Sequence, residues 1–290
     1  MNSVGTIVSP EDLSESQRAA LVSLLADEDP AVFRTVRQKI LSFGPSAAKW
    51  LRPHTLSSDP ALRRRAQQLV LHLERQTADN QFLSFCLKHG EEFDLERSAW
   101  LLAQTLYPDI NVEAYQALMD SFAEELRERL DLSRPAKPLL TTINQYFFSE
   151  LGFVGNEENY YDPENSYLSR VLDRRTGNPI NLCLVYLLLA RRLRLPISGI
   201  GLPGHFVCRY QSSADEIYID VFNRGRFLAK ADCIQHLLRG NYGLRDEFLA
   251  PLSSRKLLLR ICTNLHQVYQ QLELADETTR VQRYLVALAR

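Results

Sequence analysis

Two hundred and ninety residues, 45 % hydrophobic and 24 % charged, provide chain enough for one large domain or two modest ones and exclude wholesale disorder. Thirty-four basic residues against 35 acidic leave a net charge of −1, so no long-range field recruits nucleic acid or an anionic lipid surface. The longest apolar stretch, Leu182 to Ala190, stops at Arg191 and Arg192, short of the roughly 18 residues that a membrane helix needs. Met1 to Pro10 has neither the basic nor the apolar region of a signal peptide. Five dispersed cysteines (Cys86, Cys183, Cys208, Cys233 and Cys262) form no CxxC pair and read as reduced thiols of a cytoplasmic protein.

Past the first ten residues, the N-terminal 80 read as helical throughout. Leu13 to Ala26 carries Leu21, Leu24 and Leu25; Asp29-Pro30-Ala31-Val32 then opens a second helix, because proline in the first turn forfeits no hydrogen bond. The same start recurs thirty residues later at Asp59-Pro60-Ala61-Leu62. Two matches at one spacing suggest stacked, HEAT-like helix pairs, or else two independent helix starts. The polar stretch Glu74 to Asn80 is the linker candidate. Helical periodicity resumes at Gln81–Lys88, Leu95–Leu106, Val112–Leu130 and Leu139–Leu151.

Asn156 to Ser166 is loop chemistry carrying Tyr160 and Tyr161, either one wall of a site or a plug of core. Tyr167–Arg175 is a short helix with Gly177 as its left-handed cap. Asn178 caps a helix that starts at Pro179 and runs to about Arg194. From Pro196 the period changes to that of strands, at Ser198–Leu202, His205–Tyr210, Glu216–Phe222 and Arg226–Leu228. Helix returns at Lys230–Arg239, Ser254–Leu274 and Thr278–Leu288. The fold class is therefore α+β and helix-rich, with a small antiparallel sheet late in the chain.

If Tyr210 faces Asp215 across a four-residue hairpin loop, His205 lies opposite Asp220 on one face, Cβ atoms about 4.5–5.5 Å apart. A carboxylate there can orient an imidazole, as in nucleophilic hydrolases; a slip of one residue would separate them. The nucleophile available upstream is Cys183, one turn inside its helix, where the dipole has faded and apolar neighbours favour an inert thiol. His205 has no metal-ligating neighbour at ligand spacing and no HExxH occurs, so neither a metal nor another cofactor is expected. Arg63-Arg64-Arg65 and Arg191-Arg192 read as solvated helix faces.

At Leu151-Gly152-Phe153, Gly155-Asn156, Tyr160-Tyr161-Asp162-Pro163, Asn165-Ser166-Tyr167-Leu168, Arg174-Arg175-Thr176-Gly177-Asn178-Pro179-Ile180 and Pro203-Gly204-His205-Phe206, the sequence resembles the SirB-type branch of the transglutaminase-like superfamily, over about residues 92–238. The resemblance implies a papain-like core in which Cys, His and Asp come from a helix start and two adjacent strands. His205 matches the histidine and Asp220 the aspartate. Where active members carry Gly-x-Cys, this chain has Gly177-Asn178-Pro179, which puts proline at the nucleophile position, as is common in that branch. Val221 departs from the branch's Asp-Pro-Phe; Phe222 is kept.

The resulting expectation has three parts: a helical, HEAT-like region over residues 1–80, a transglutaminase-like domain over 81–240 and a C-terminal helical segment over 241–290. Proline can neither attack a carbonyl nor carry an acyl group. The expected role is a non-catalytic protein-binding or scaffold module with a degenerate Cys-His-Asp site, Tyr160, Tyr161, Asp162, Asn165 and Asn178 forming the binding surface. Its expected partner is another protein or a peptide, with no nucleic acid and no membrane. The alternative is a cysteine-dependent amidase, protease or acyltransferase using Cys183, His205 and Asp220.

Overall fold

The structure, a computed structural model, describes residues 13–290; the Met1–Pro10 reading lies outside them. The chain divides into two compact units, one comprising residues up to Gln81 together with Gln104–Asp109, the other Phe82–Ala103 with Ile110–Arg290.

In the first unit, α1 (Glu15–Leu25) starts at a capping box in which Ser14 and Gln17 satisfy each other's backbone N–H groups. The helices α2 (Pro30–Ser42) and α4 (Pro60–Lys88) both begin at proline. The preceding Asp29 and Asp59 each accept the N–H two residues on at 2.8 Å. With the short α3 (Ala47–Leu51), these helices enclose a core that includes Leu25, Ile40, Leu51, Leu69 and Leu73. Arg65 closes the end of α1, donating to the carbonyls of Leu25 and Asp27 at 2.7 and 2.6 Å, where the helix presents its negative end. The Glu74–Asn80 linker expectation is overturned. That stretch is helical and lies within α4, with Leu73, Ala78 and Phe82 continuing the buried stripe beneath its polar residues.

The second unit is organised around α9 (Pro179–Arg192), in which every residue from Pro179 to Ala190 is buried. A helix apolar all round must be enclosed on every side. Here α6 (Val112–Arg127), α8 (Leu168–Arg174) and the sheet enclose it. At the polar end, Arg192 pairs with Glu96 on α5 (Leu95–Gln104) and with Asp120, both at 2.7 Å. The helix α7 (Ala136–Asn144) widens into a π-turn at Gln145–Glu150 that brings Tyr146, Phe147 and Phe148 inward together, so the helical reading of Leu139–Leu151 held in part.

The four-stranded antiparallel sheet runs β3 (Ile197–Ile200), β4 (Val207–Gln211), β5 (Glu216–Asp220) and β6 (Arg226–Leu228) in that order. A two-residue parallel pair, β1 (Val154–Gly155) with β2 (Thr176–Gly177), had no sequence signal. Gly177 is therefore in a strand, and the left-handed residue ending α8 is Arg175, at φ 55°. The β4–β5 register pairs Gln211 with Glu216 and Tyr210 with Ile217, two residues away from the expected Tyr210–Asp215 pairing. A slip of two changes the partners but preserves which face each side chain takes. The chain closes with α10 (Lys230–Arg239), α11 (Ser254–Gln271) and α12 (Ala275–Leu288). The result is a helix-rich α+β protein with a small antiparallel sheet.

Candidate binding cleft

His205 precedes β4 in a turn where its N–H donates to the Leu202 carbonyl at 3.0 Å and Gly204 sits at φ +74°. A Cβ on Gly204 would also come within 2.9 Å of the Tyr242 hydroxyl, so glycine suits this turn twice over. Asp220 ends β5. Despite the shifted register, His205 Nε2 and Asp220 Oδ1 lie 2.9 Å apart, with Nε2 the donor and the carboxylate the acceptor. Asp220 also accepts from the Asn223 N–H at 3.2 Å and from Asn223 Nδ2 at 2.8 Å. Burial, the largest influence, raises the Asp220 pKa, but the bond and charge of His205 and the two Asn223 bonds together outweigh it and hold the carboxyl below its usual range. With Nε2 engaged, Nδ1 has no hydrogen-bond partner among the described residues.

Pro179 is the first residue of α9. Asn178 caps that helix by accepting from the Asn181 N–H at 3.0 Å and donates through Nδ2 to Ser166 Oγ at 3.2 Å. Pro179, Asn178 and His205 share a cleft of 960 Å³ with Tyr160 and Tyr161. Its other long wall is α11, through Lys256, Arg260, Asn264 and Gln267. This wall was not read from the sequence as part of any site. The signal was there in outline, since the polar residues of α11 recur at three- and four-residue steps opposite a buried face of Leu258, Ile261, Leu265 and Val268.

Cys183, expected as the alternative nucleophile, is fully buried and is not among the residues lining this cleft. Its thiol donates to the Phe206 carbonyl at 3.6 Å, and burial followed by the neighbouring Cys208 pushes its pKa well above that of a free thiol. Such a sulfur stays protonated and shielded, which is the opposite of what a nucleophile requires. All five cysteines are free and buried.

The structure divides the expected binding residues into two groups. Tyr160, Tyr161 and Asn178 face the cleft; Asp162 and Asn165 do not, and instead build the loop that presents the tyrosines. Asn165 is fully buried, accepts from Asn156 Nδ2 at 2.9 Å and donates to the carbonyls of Asn159 and Tyr160 at 2.8 and 3.2 Å. Asp162 caps the 3₁₀ turn at Pro163–Ser166 through the Glu164 N–H and pairs with Arg174 at 2.7 Å. Tyr160 stands edge-on to Tyr161 and Phe222, which leaves its ring as a cleft wall rather than a core plug. Among the described residues, no group of three or more His, Cys, Asp and Glu side chains is arranged to hold a metal ion.

A helix start and a histidine turn meet at this cleft, and the strand-end Asp220 pairs with that histidine. Residues 113–263, just over half of the chain, match the Transglutaminase-like superfamily, and the chain belongs to that superfamily. Within it, the chain is similar to a UPF0162 protein of Xylella fastidiosa (strain Temecula1 / ATCC 700964), 36 % identical over 197 residues that make up 66 % of this chain and 70 % of that one. A UPF0162 protein of Pseudomonas aeruginosa is 30 % identical over 190 residues, 63 % of this chain and 67 % of its own length. Human F-box only protein 21 is 28 % identical over 234 residues, 69 % of this chain but 36 % of that longer protein. No solved structure matches the chain.

Proposed function

We propose that this chain is a non-catalytic, SirB-type member of the superfamily, and that its cleft binds a segment of another protein without cleaving or transferring it. One observation carries the reading: Pro179, the residue that the resemblance aligns with the nucleophile, lines the cleft beside His205, while Cys183 is buried away from it. Proline offers no attacking group and no N–H toward a developing oxyanion, so the two largest contributions to acyl transfer are missing at that point. The His205–Asp220 pair then serves to hold the histidine turn against the end of β5 and to present one polar nitrogen to a bound segment.

The size and shape of the cleft support a peptide occupant. At 960 Å³ the cleft is at the upper end of the ligand-pocket range, and its walls combine aromatic faces with amide side chains that suit a peptide backbone. The first unit would supply a second contact surface, and five reduced thiols favour a cytoplasmic setting. No helix among the described residues is long and apolar enough to cross a membrane.

The test is binding without turnover. The full chain is incubated with a mixture of hexapeptides acetylated at the N-terminus and amidated at the C-terminus, and the fraction retained on gel filtration is analysed by mass spectrometry. Retained peptides are expected to return with their masses unchanged. Shortened, deamidated or crosslinked products whose formation stops in His205→Ala would overturn the non-catalytic reading; retention of no peptide would overturn the binding reading.

A further inference from the structure

The cleft carries charge of one sign only. Its lining includes Lys256 and Arg260 but no aspartate or glutamate, in a chain whose acidic residues outnumber its basic ones by 35 to 34. Arg260 is the unusual member. Its Nη2 donates to the carbonyls of Leu202 and His205, the latter at 2.8 Å, so the guanidinium braces the turn that carries the histidine. Its Nε and Nη1 have no partner, and no carboxylate pairs with it among the described residues. Burial pulls its pKa below the ordinary arginine value, yet a guanidinium remains charged at any physiological pH. Two carbonyls and the Phe206 ring, 5.7 Å from the guanidinium, hold one side of the group, which leaves its other N–H groups available to an anionic ligand.

The rest of the wall shows what form that ligand takes. Lys256, Arg260, Asn264, Gln267 and Gln271 lie along one stripe of α11, with the cations at its N-terminal end and the amides toward its C-terminal end. At 1.5 Å per residue, the stripe is about 22 Å long, the span of roughly six or seven residues of extended peptide. Asparagine and glutamine side chains both donate and accept, which matches the alternating N–H and C=O groups of such a strand. Two cations and a run of amides suit one or two carboxylates in a peptide better than the one-charge-per-residue backbone of a nucleic acid.

Resting on the protein-binding reading above, we propose that the cleft selects an extended acidic peptide segment of a partner protein, whose aspartate or glutamate carboxylate is received by Arg260 and Lys256 beside His205. The backbone of that segment runs along the amide stripe of α11, and Tyr160 and Tyr161 cover it from the opposite wall.

The experiment is fluorescence anisotropy with fluorescein-labelled, C-amidated hexapeptides in which two glutamates are moved through the six positions, each compared with its glutamine twin. The best glutamate peptide is expected to bind about tenfold or more tightly than its twin, with the preference shrinking as salt is raised. Arg260→Gln should abolish the preference. Arg260 also braces the histidine turn, so Lys256→Gln, at an exposed position, is the second variant and should reduce the preference several-fold without altering the thermal melt. Equal binding of both twins by the wild-type chain would overturn carboxylate selection and leave the peptide-binding reading standing; failure of every peptide to bind would overturn both. A single-stranded hexanucleotide that displaces the glutamate peptide at lower concentration than unlabelled peptide does would assign the cleft to nucleic acid and overturn the proposal.

Discussion

His205 and Asp220 meet at 2.9 Å although they are not partners in the β4–β5 ladder. The ladder begins at Cys208 opposite Ile219, so His205 reaches Asp220 diagonally from the turn before β4, within the reach of an imidazole. The two Asn223 bonds then fix the carboxylate for that approach.

This pairing makes stability depend on pH in a definite direction. The Asp220 pKa is lower in the folded chain than in the unfolded one, so the unfolded state binds more protons as pH falls through the carboxylate range. The stabilisation is complete above an unfolded pKa of about 3.9 and is lost as pH falls toward the lower folded value. Asp220→Asn should therefore cost about 1–3 kcal/mol in urea unfolding at pH 7, and the gap between variant and wild type should narrow below about pH 4. A gap that stays constant down to pH 3 would show that the carboxylate charge contributes nothing.

Asn165 connects three parts of the tyrosine loop from a fully buried position. The Asn159 carbonyl keeps the Asp162 N–H, but Asn165→Ala leaves the Tyr160 carbonyl and the Asn156 amide without this partner, and should destabilise the chain by about 1–3 kcal/mol. Limited proteolysis should show new cleavage near Tyr160 and Tyr161. An unchanged melt with no new cut would place the loop's rigidity elsewhere, for example in the Asp162–Arg174 pair.

The wall formed by α11 depends on a second buried cation. Arg255 donates to the carbonyls of Cys86 and His89 at the end of α4, and of Ala287 and Leu288 at the end of α12, at 2.8 to 3.0 Å. Two helix C-termini thus take the place of a counter-ion. Arg255→Lys keeps the charge but lacks the planar fork that reaches both ends, so it should still cost about 2–4 kcal/mol by chemical denaturation. Full rescue by lysine would mean that charge alone holds these helix ends together.

Which of these features the sequence revealed depends on whether the signal was local. The caps at Asp29, Asp59 and Asn178 were legible because an Asp-Pro or Asn-Pro start is a local choice of backbone. Parity was enough to bring His205 and Asp220 together even though the four-residue loop lies over 212–215 rather than 211–214, which moves the register by two. Glu74–Asn80 was misread because polar residues on the outer face of a long helix look like a linker when the buried stripe beneath them is sparse. Gly177 was assigned the left-handed position that Arg175 takes; glycine is needed there for another reason, since a Cβ would press against Val171 at 3.2 Å. The polar stripe of α11 was legible in its spacing, but its place on the cleft was not, because it joins the cleft only when the chain returns some 50 residues after His205.

Whether any thiol serves this cleft is decided by the alkylation rate of each cysteine with iodoacetamide, followed by mass spectrometry in the native and the guanidinium-unfolded chain. Pro179→Cys is the positive control: a thiol in the first turn of α9 beside His205 should titrate below about 8.5 and react about tenfold or more faster than any native cysteine. Cys86, Cys183, Cys208, Cys233 and Cys262 should all react more slowly in the native chain than in the unfolded one. A native cysteine that reacts faster when folded, and loses that advantage in His205→Ala, would contradict the non-catalytic reading.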